Sequence, residues 1–124
     1  SLVAILKGNV TTENNGGFIQ IRRDLSDVNL ENAASIKVVA KGNDQKYFVF
    51  IRTKGTKLPW QYYESEFFVN NDFNEFILPI KNFKKSGILM PSKINPKKIT
   101  SIGLVAFGRD HSAELIIKEI EIIK

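Results

Sequence analysis

The chain has 124 residues, 43% of them hydrophobic and 25% charged, a size and balance that fit one globular domain and exclude a disordered polymer. With no cysteine, disulfides, thiolate metal sites and cysteine nucleophiles are excluded, and a reducing compartment is permitted. The formal charge is +5, and no run approaches the roughly 18 apolar residues of a membrane span.

Apolar residues recur with period two or in short β-branched and aromatic runs, broken by Gly, Asn, Asp and Pro about every 8–12 residues. The first strand is expected over 2–10. Because the sequence opens on Ser1 and Leu2 to Leu6 already read as strand interior, an N-terminal segment of the native chain, with any targeting signal, is expected to precede it. Next comes Glu13-Asn14-Asn15-Gly16-Gly17-Phe18, whose Asn and Gly tolerate the positive φ of a hairpin turn. Gly16-Gly17 leads into a strand and opens no helix, so it does not read as a phosphate loop. Oxygens of Glu13, Asn14 and Asp24 are the set nearest to a calcium site.

The second strand, 17–23, sets Ile19 and Ile21 on one face and Gln20 and Arg22 on the other. Segment 24–34 is polar, and both a short helix over Leu25–Asn32 and a plain loop fit it. Strands at 35–41 and 46–54 flank a second predicted turn, Gly42-Asn43-Asp44, and Arg52 shares a face with Phe48 and Phe50. In the fifth strand, 61–69, Tyr62, Glu64 and Glu66 lie opposite Tyr63, Ser65 and Phe67. The sixth spans 75–80.

Between 81 and 98, Gly87, Pro91 and Pro96 interrupt the pattern, which predicts a loop with room for one helical turn. This loop holds Lys81, Lys84, Lys85, Lys93, Lys97 and Lys98, and no Asp or Glu occurs from Phe76 to Gly108. Such a run is first a solvated surface, with an acidic protein patch or an anionic membrane as alternatives. Nucleic acid is not expected, because its grooves call for aromatic rings among the lysines. The last strands are 99–107 and 113–123. In the final one Ile116, Ile120 and Ile123 also suit one face of a helix, and the β-branched content decides for strand. Eight strands predict an all-β jelly-roll sandwich forming one domain over 1–124.

His111 is the only histidine, and no Gly-x-Ser-x-Gly elbow accompanies it, so the chain is not expected to be an enzyme and His111 reads as a surface residue. One His without Cys cannot build a typical zinc or iron site, so no metal or cofactor is expected. The polar strand residues Gln20, Arg22, Arg52 and Glu66, with Trp60 or Tyr62, have two explanations. One is a ladder of cross-strand ion pairs worth a few tenths to about 1 kcal/mol each. The other is a polar concave face that hydrogen-bonds a carbohydrate while an aromatic ring stacks on it. Glu64 and Glu66, about 7 Å apart along one face, permit acid–base roles without supporting them.

Gly8-Asn9-Val10 followed by Glu13-Asn14-Asn15-Gly16-Gly17-Phe18 resembles the complex I intermediate-associated protein 30 domain. Further matches follow in order: Gly42-Asn43-Asp44 with Tyr47, Arg52-Thr53, Tyr63 with Phe67, Leu78-Pro79 with Phe83, and Ile99 with Ile102-Gly103-Leu104. The resemblance spans roughly residues 8–123. It departs from the family pattern in lacking an upstream Trp and an Asp-x-x-Met-Gly-Gly segment, and in replacing the Trp before Leu-Pro around Phe73–Phe76. The resemblance implies a galactose-binding-like jelly roll and, from mitochondrial relatives, a non-catalytic role in assembling respiratory complex I. For this chain it implies a protein partner in a respiratory or photosynthetic assembly and at most peripheral membrane contact. The expected location is a bacterial cytoplasm or, alternatively, the mitochondrial matrix or another organelle interior. A carbohydrate-binding module is the competing expectation.

Overall fold

In the computed structural model, which describes residues 4–11 and 18–124, the described residues form nine strands, eight of them from the period-two segments and one from the predicted basic loop. These are β1 (Ala4–Val10), β2 (Phe18–Asp24), β3 (Ser35–Gly42), β4 (Lys46–Thr53), β5 (Tyr63–Phe68), β6 (Asn74–Pro79), β7 (Lys84–Lys85), β8 (Ile99–Phe107) and β9 (His111–Ile123). One sheet runs β1-β9-β3-β6 and the other β2-β8-β4-β5-β7, with every pairing antiparallel. Among the described residues no helix is long and apolar enough to cross a membrane.

The sheets pack because each long strand is apolar at alternate positions. Ile36, Val38 and Ala40 of β3, Tyr47, Val49 and Ile51 of β4, Leu104 and Ala106 of β8, and Ala113, Leu115 and Ile117 of β9 are buried in one cluster, while their polar neighbours point outward. Along β9 the register against β3 shifts between Val39 and Ala40, leaving Lys118 as the extra residue of a β-bulge. The inward face therefore passes from Ile117 to Ile120 and Ile122.

Gly42-Asn43-Asp44 does turn the chain, with Asp44 at φ 56°, but it is not a hairpin. β3 and β4 belong to different sheets, as do β1 and β2. The predicted turn Glu13-Asn14-Asn15-Gly16-Gly17 before Phe18 lies outside the described residues. The β3–β4 corner is fastened to β9 by side chains. The buried Tyr47 hydroxyl donates to Asn43 Oδ1 at 2.6 Å and accepts from the Glu114 N–H at 2.8 Å, and Asn43 Nδ2 donates to the Ser112 carbonyl at 2.6 Å.

For segment 24–34, where a helix and a loop both fitted, the structure has turns, with Leu25, Leu30 and Ala33 buried. Two further expectations are corrected. The basic loop contains a strand, since Lys84 and Lys85 pair with Glu64 and Tyr63 as β7, and it touches two short 3-10 turns at Ile80–Asn82 and Pro96–Lys98. His111 is not a surface turn residue. It opens β9 half-buried, edge-on to Tyr47 with ring centroids 6.3 Å apart, and its Nδ1 lies 2.9 Å from the Arg109 carbonyl.

Candidate functional site

The outward side of the five-stranded sheet carries most of the polar strand residues, and its register arranges them in rows. Gln20 lies beside Val105, then Phe48 and Glu66; Arg22 lies beside Gly103, then Phe50, Glu64 and Lys84; Asp24 lies beside Ser101 and then Arg52. Strict alternation in β2 and β4 places Arg22 and Arg52 on this side. At the Arg52 end β4 and β8 slip register, leaving Thr100 as a bulge residue whose hydroxyl donates to the Arg52 carbonyl at 3.2 Å. Bulges re-aim neighbouring side chains in this way.

Aromatic rings fill the middle of the same side. Phe50 and Tyr62 stack at 4.0 Å between centroids with planes 9° apart, and Phe107 meets Phe50 edge-on at 5.1 Å and Phe48 at 4.6 Å. Beside this floor is a cleft of about 490 Å³ whose lining includes Gln20, Arg22, Asp24, Arg52, Lys57 and Ser101. Next to it Gly103 leaves room for Gln20: a Cβ there would lie 3.2 Å from Gln20 Oε1.

The electrostatics differ sharply from those of the opposite sheet. There Lys37 is surrounded by Glu75, Glu119 and Glu121 at 3.6, 3.4 and 3.3 Å; of the ladder expected on the five-stranded sheet, the Lys46–Glu66 pair at 3.1 Å forms, while Arg22 and Arg52 take no part in an ion pair among the described residues. In the cleft, Arg52 donates to the Pro59 carbonyl at 3.0 Å and stands 6.0 Å from the Tyr62 ring centroid. Burial, and after it the neighbouring Arg22, push the Arg52 guanidinium down from its ordinary pKa. Neither arginine forms an ion pair with a carboxylate among the described residues. Asp24, at the strand end, is held below its ordinary pKa mainly by hydrogen bonds from Ser26 and only lastly by Arg22.

Gln20 Oε1 and Glu64 Oε2 are buried without a hydrogen-bond partner among the described residues. Unmet polar groups of this kind cost stability and are common where a ligand completes the bonding. Burial first, and then Glu66, push the Glu64 carboxyl above its ordinary 4.5, with Lys84 opposing. Such a group binds more protons folded than unfolded, so its ionisation weakens the fold as pH rises from 4.5 through the raised value. Glu64→Gln, which imitates the neutral acid, is expected to raise the melting temperature at pH 7 and to lose that gain as the pH falls to 4.5. Thermal melts across this range check it.

Of the six predicted binding residues, Gln20, Arg22 and Arg52 line one cleft, and Tyr62 stands beside it on Phe50. Glu66 is separate. It lines a smaller cleft of about 210 Å³ with Glu64 and Lys84 and pairs with Lys46 at 3.1 Å. Trp60 is also separate, lying in the β4–β5 loop with 66% of its surface exposed. Sequence reasoning missed Phe107, Ser101 and Gly103, although Ser101, Gly103, Val105 and Phe107 alternate with Ile102, Leu104 and Ala106 along β8. Among the described residues no three His, Asp or Glu side chains gather as a metal site, and of the calcium donors considered only Asp24 is described.

Several solved structures with the same fold are carbohydrate-binding modules. A Family 11 carbohydrate-binding module of the cellulosomal cellulase Lic26A-Cel5E of Clostridium thermocellum superposes with a TM-score of 0.71 at 12% identity, covering 97% of this chain and 81% of that one. The Clostridium thermocellum Family 11 module in complex with a β-1,3-1,4-mixed-linked tetrasaccharide gives 0.68 at 11% identity, covering 97% and 82%. A Family 30 carbohydrate-binding module gives 0.63 at 12% identity, covering 96% and 75%. At these identities the likeness establishes the jelly-roll β-sandwich fold. No curated protein matches the chain significantly. The family model described as Complex I intermediate-associated protein 30 (CIA30) matches residues 1–117, nearly the whole sequence, and the chain belongs to that family.

Proposed function

We propose that the chain is a non-catalytic binding module that holds a segment of a protein partner against the outward face of the five-stranded sheet. The partner belongs to a membrane-associated respiratory or photosynthetic complex under assembly; the family's description, which names complex I, supports the respiratory case. The observation that carries the reading is the Arg22–Arg52 pair, two neighbouring guanidinium groups in one cleft with no ion-paired carboxylate among the described residues. Arginine forks match carboxylates in geometry and charge, so an acidic side chain or chain terminus of the partner would relieve their repulsion. On this reading the chain works in a bacterial cytoplasm or an organelle interior. Affinity capture from native membranes tests it: respiratory or photosynthetic subunits should be retained, and recovery of none above background would contradict it.

A second reading, carbohydrate binding, is favoured by the Phe50–Tyr62 stack beside Gln20 and Arg52, because rings and planar amide or guanidinium groups suit a polyhydroxylated ligand. Titration with the mixed-linked tetrasaccharide and a glycan array separates the two. Binding of no sugar at millimolar concentration would remove this second reading.

A further inference from the structure

The end of the sandwich built from the β4–β5 and β7–β8 loops has a surface that the cleft does not explain. Ile88 and Leu89 are 88% and 93% exposed, at the two central positions of a turn closed by the Met90 N–H donating to the Gly87 carbonyl at 3.2 Å. Turn centres ordinarily hold Gly, Asn, Asp or Pro, and two branched aliphatic residues there gain nothing from the fold. The turn is nevertheless held in shape. Lys85 Nζ donates to the carbonyls of Ile88 and Met90 at 3.2 and 3.1 Å, and Met90 is buried beneath. Ser86 Oγ donates to the Trp60 carbonyl at 2.8 Å, joining the neighbouring loop, whose Trp60 and Leu58 are also exposed.

Positive charge gathers on the same two loops. Lys54, Lys57, Lys93 and Lys98 line a cleft of about 400 Å³ between the same two loops, and neither loop contains an Asp or Glu. Lys97 is set apart by its ion pair with Glu31 at 3.5 Å.

We propose that this end of the sandwich docks on an anionic lipid bilayer, with Ile88 and Leu89 entering the acyl boundary and Lys54, Lys57, Lys93 and Lys98 facing the headgroups. A bare aliphatic tip beside lysines that form no ion pair among the described residues matches the interface of a negatively charged membrane, where apolar burial and headgroup attraction act together. A purely acidic protein patch would leave Ile88 and Leu89 without a use, and a purely apolar pocket would leave the lysines without one. Trp60 suits the headgroup level, where tryptophan is enriched. Lys57 also lines the cleft between Gln20 and Arg52, but Ile88, Leu89, Lys93 and Lys98 do not, so variants at those four positions test the inference apart from what the cleft binds.

The chain contains a single tryptophan, so its own fluorescence reports docking. With vesicles of equal phosphatidylglycerol and phosphatidylcholine, the chain is expected to co-sediment and the Trp60 emission to move to the blue, with neither effect on pure phosphatidylcholine. Raised salt should weaken both. Ile88→Ser with Leu89→Ser should lower vesicle affinity about 10- to 100-fold, and Lys93→Glu with Lys98→Glu should lower it comparably. No sedimentation with anionic vesicles at low salt, or sedimentation that both variants retain, would overturn the proposal. So would capture of a soluble protein through the tip without vesicle binding, which would assign the surface to that protein instead.

Discussion

Gly42→Ala is expected to cost about 2–3 kcal/mol of stability. A Cβ at this position would stand 2.5 Å from the Glu114 carbonyl oxygen and 2.7 Å from Val69 Cγ2. Val69 can shift, but the Glu114 carbonyl belongs to β9, where Gly42 pairs with Leu115, and cannot retreat without loosening that ladder. The Glu114 N–H is also the donor to Tyr47, so the displacement reaches the hydroxyl bridge that fastens the β3–β4 corner. Close approach of backbone, not backbone angle, is what requires glycine here. Urea unfolding of both proteins measures the difference; a loss below about 0.5 kcal/mol would mean that the corner is not packed as described.

Arg22→Ala with Arg52→Ala is expected to weaken partner capture by at least about 100-fold, because each hydrogen bond to a charged group is worth about 1.5–3 kcal/mol and tenfold corresponds to about 1.4. Stability should move little for the exposed Arg22, within about 0.5 kcal/mol, since the two guanidinium groups repel and neither is ion-paired among the described residues. That contrast separates a binding role from a structural one. Equilibrium binding of the double variant and a thermal melt of Arg22→Ala alone provide both numbers, and a large fall in melting temperature for Arg22→Ala with unchanged capture by the double variant would reverse the assignment.

How much of this was legible in the sequence depended on where strands are regular. In β2 and β4 alternation is unbroken, so Gln20, Arg22 and Arg52 could be assigned to one face, and the sheet register brings them together. Trp60 could not be placed because the chain leaves strand geometry between Thr53 and Tyr63, and a period of two carries no information through a turn. Isoleucines in the last strand allowed a helix because the bulge at Lys118 changes the spacing of the inward face from two to three.

The division into sheets was hidden for a different reason. Asn and Gly at Gly42-Asn43-Asp44 specify that the chain reverses, but not whether the returning strand pairs with its predecessor or crosses to the facing sheet. That choice is made by distant partners, β9 for β3 and β8 for β4. Lys84 and Lys85 escaped notice as a strand because an edge strand of two lysines has no apolar alternation, and charge at a sheet edge guards against further pairing. Phe50, which alternation sets on the face of Arg52, and Phe107, which no pattern singled out, form an aromatic floor on the outward side. Burial of Phe50 comes from Tyr62 and Phe107 lying over it.

The central claim is that a partner lies against the outward face of the β2-β8-β4-β5-β7 sheet. A photo-crosslinking residue placed at Gln20, in the cleft, and separately at Glu119, among the ion pairs of the opposite sheet, tests it directly in native membranes. The account predicts an adduct between position 20 and a respiratory or photosynthetic subunit, and none from position 119. No such adduct from position 20, or equal adducts from both positions, would contradict it.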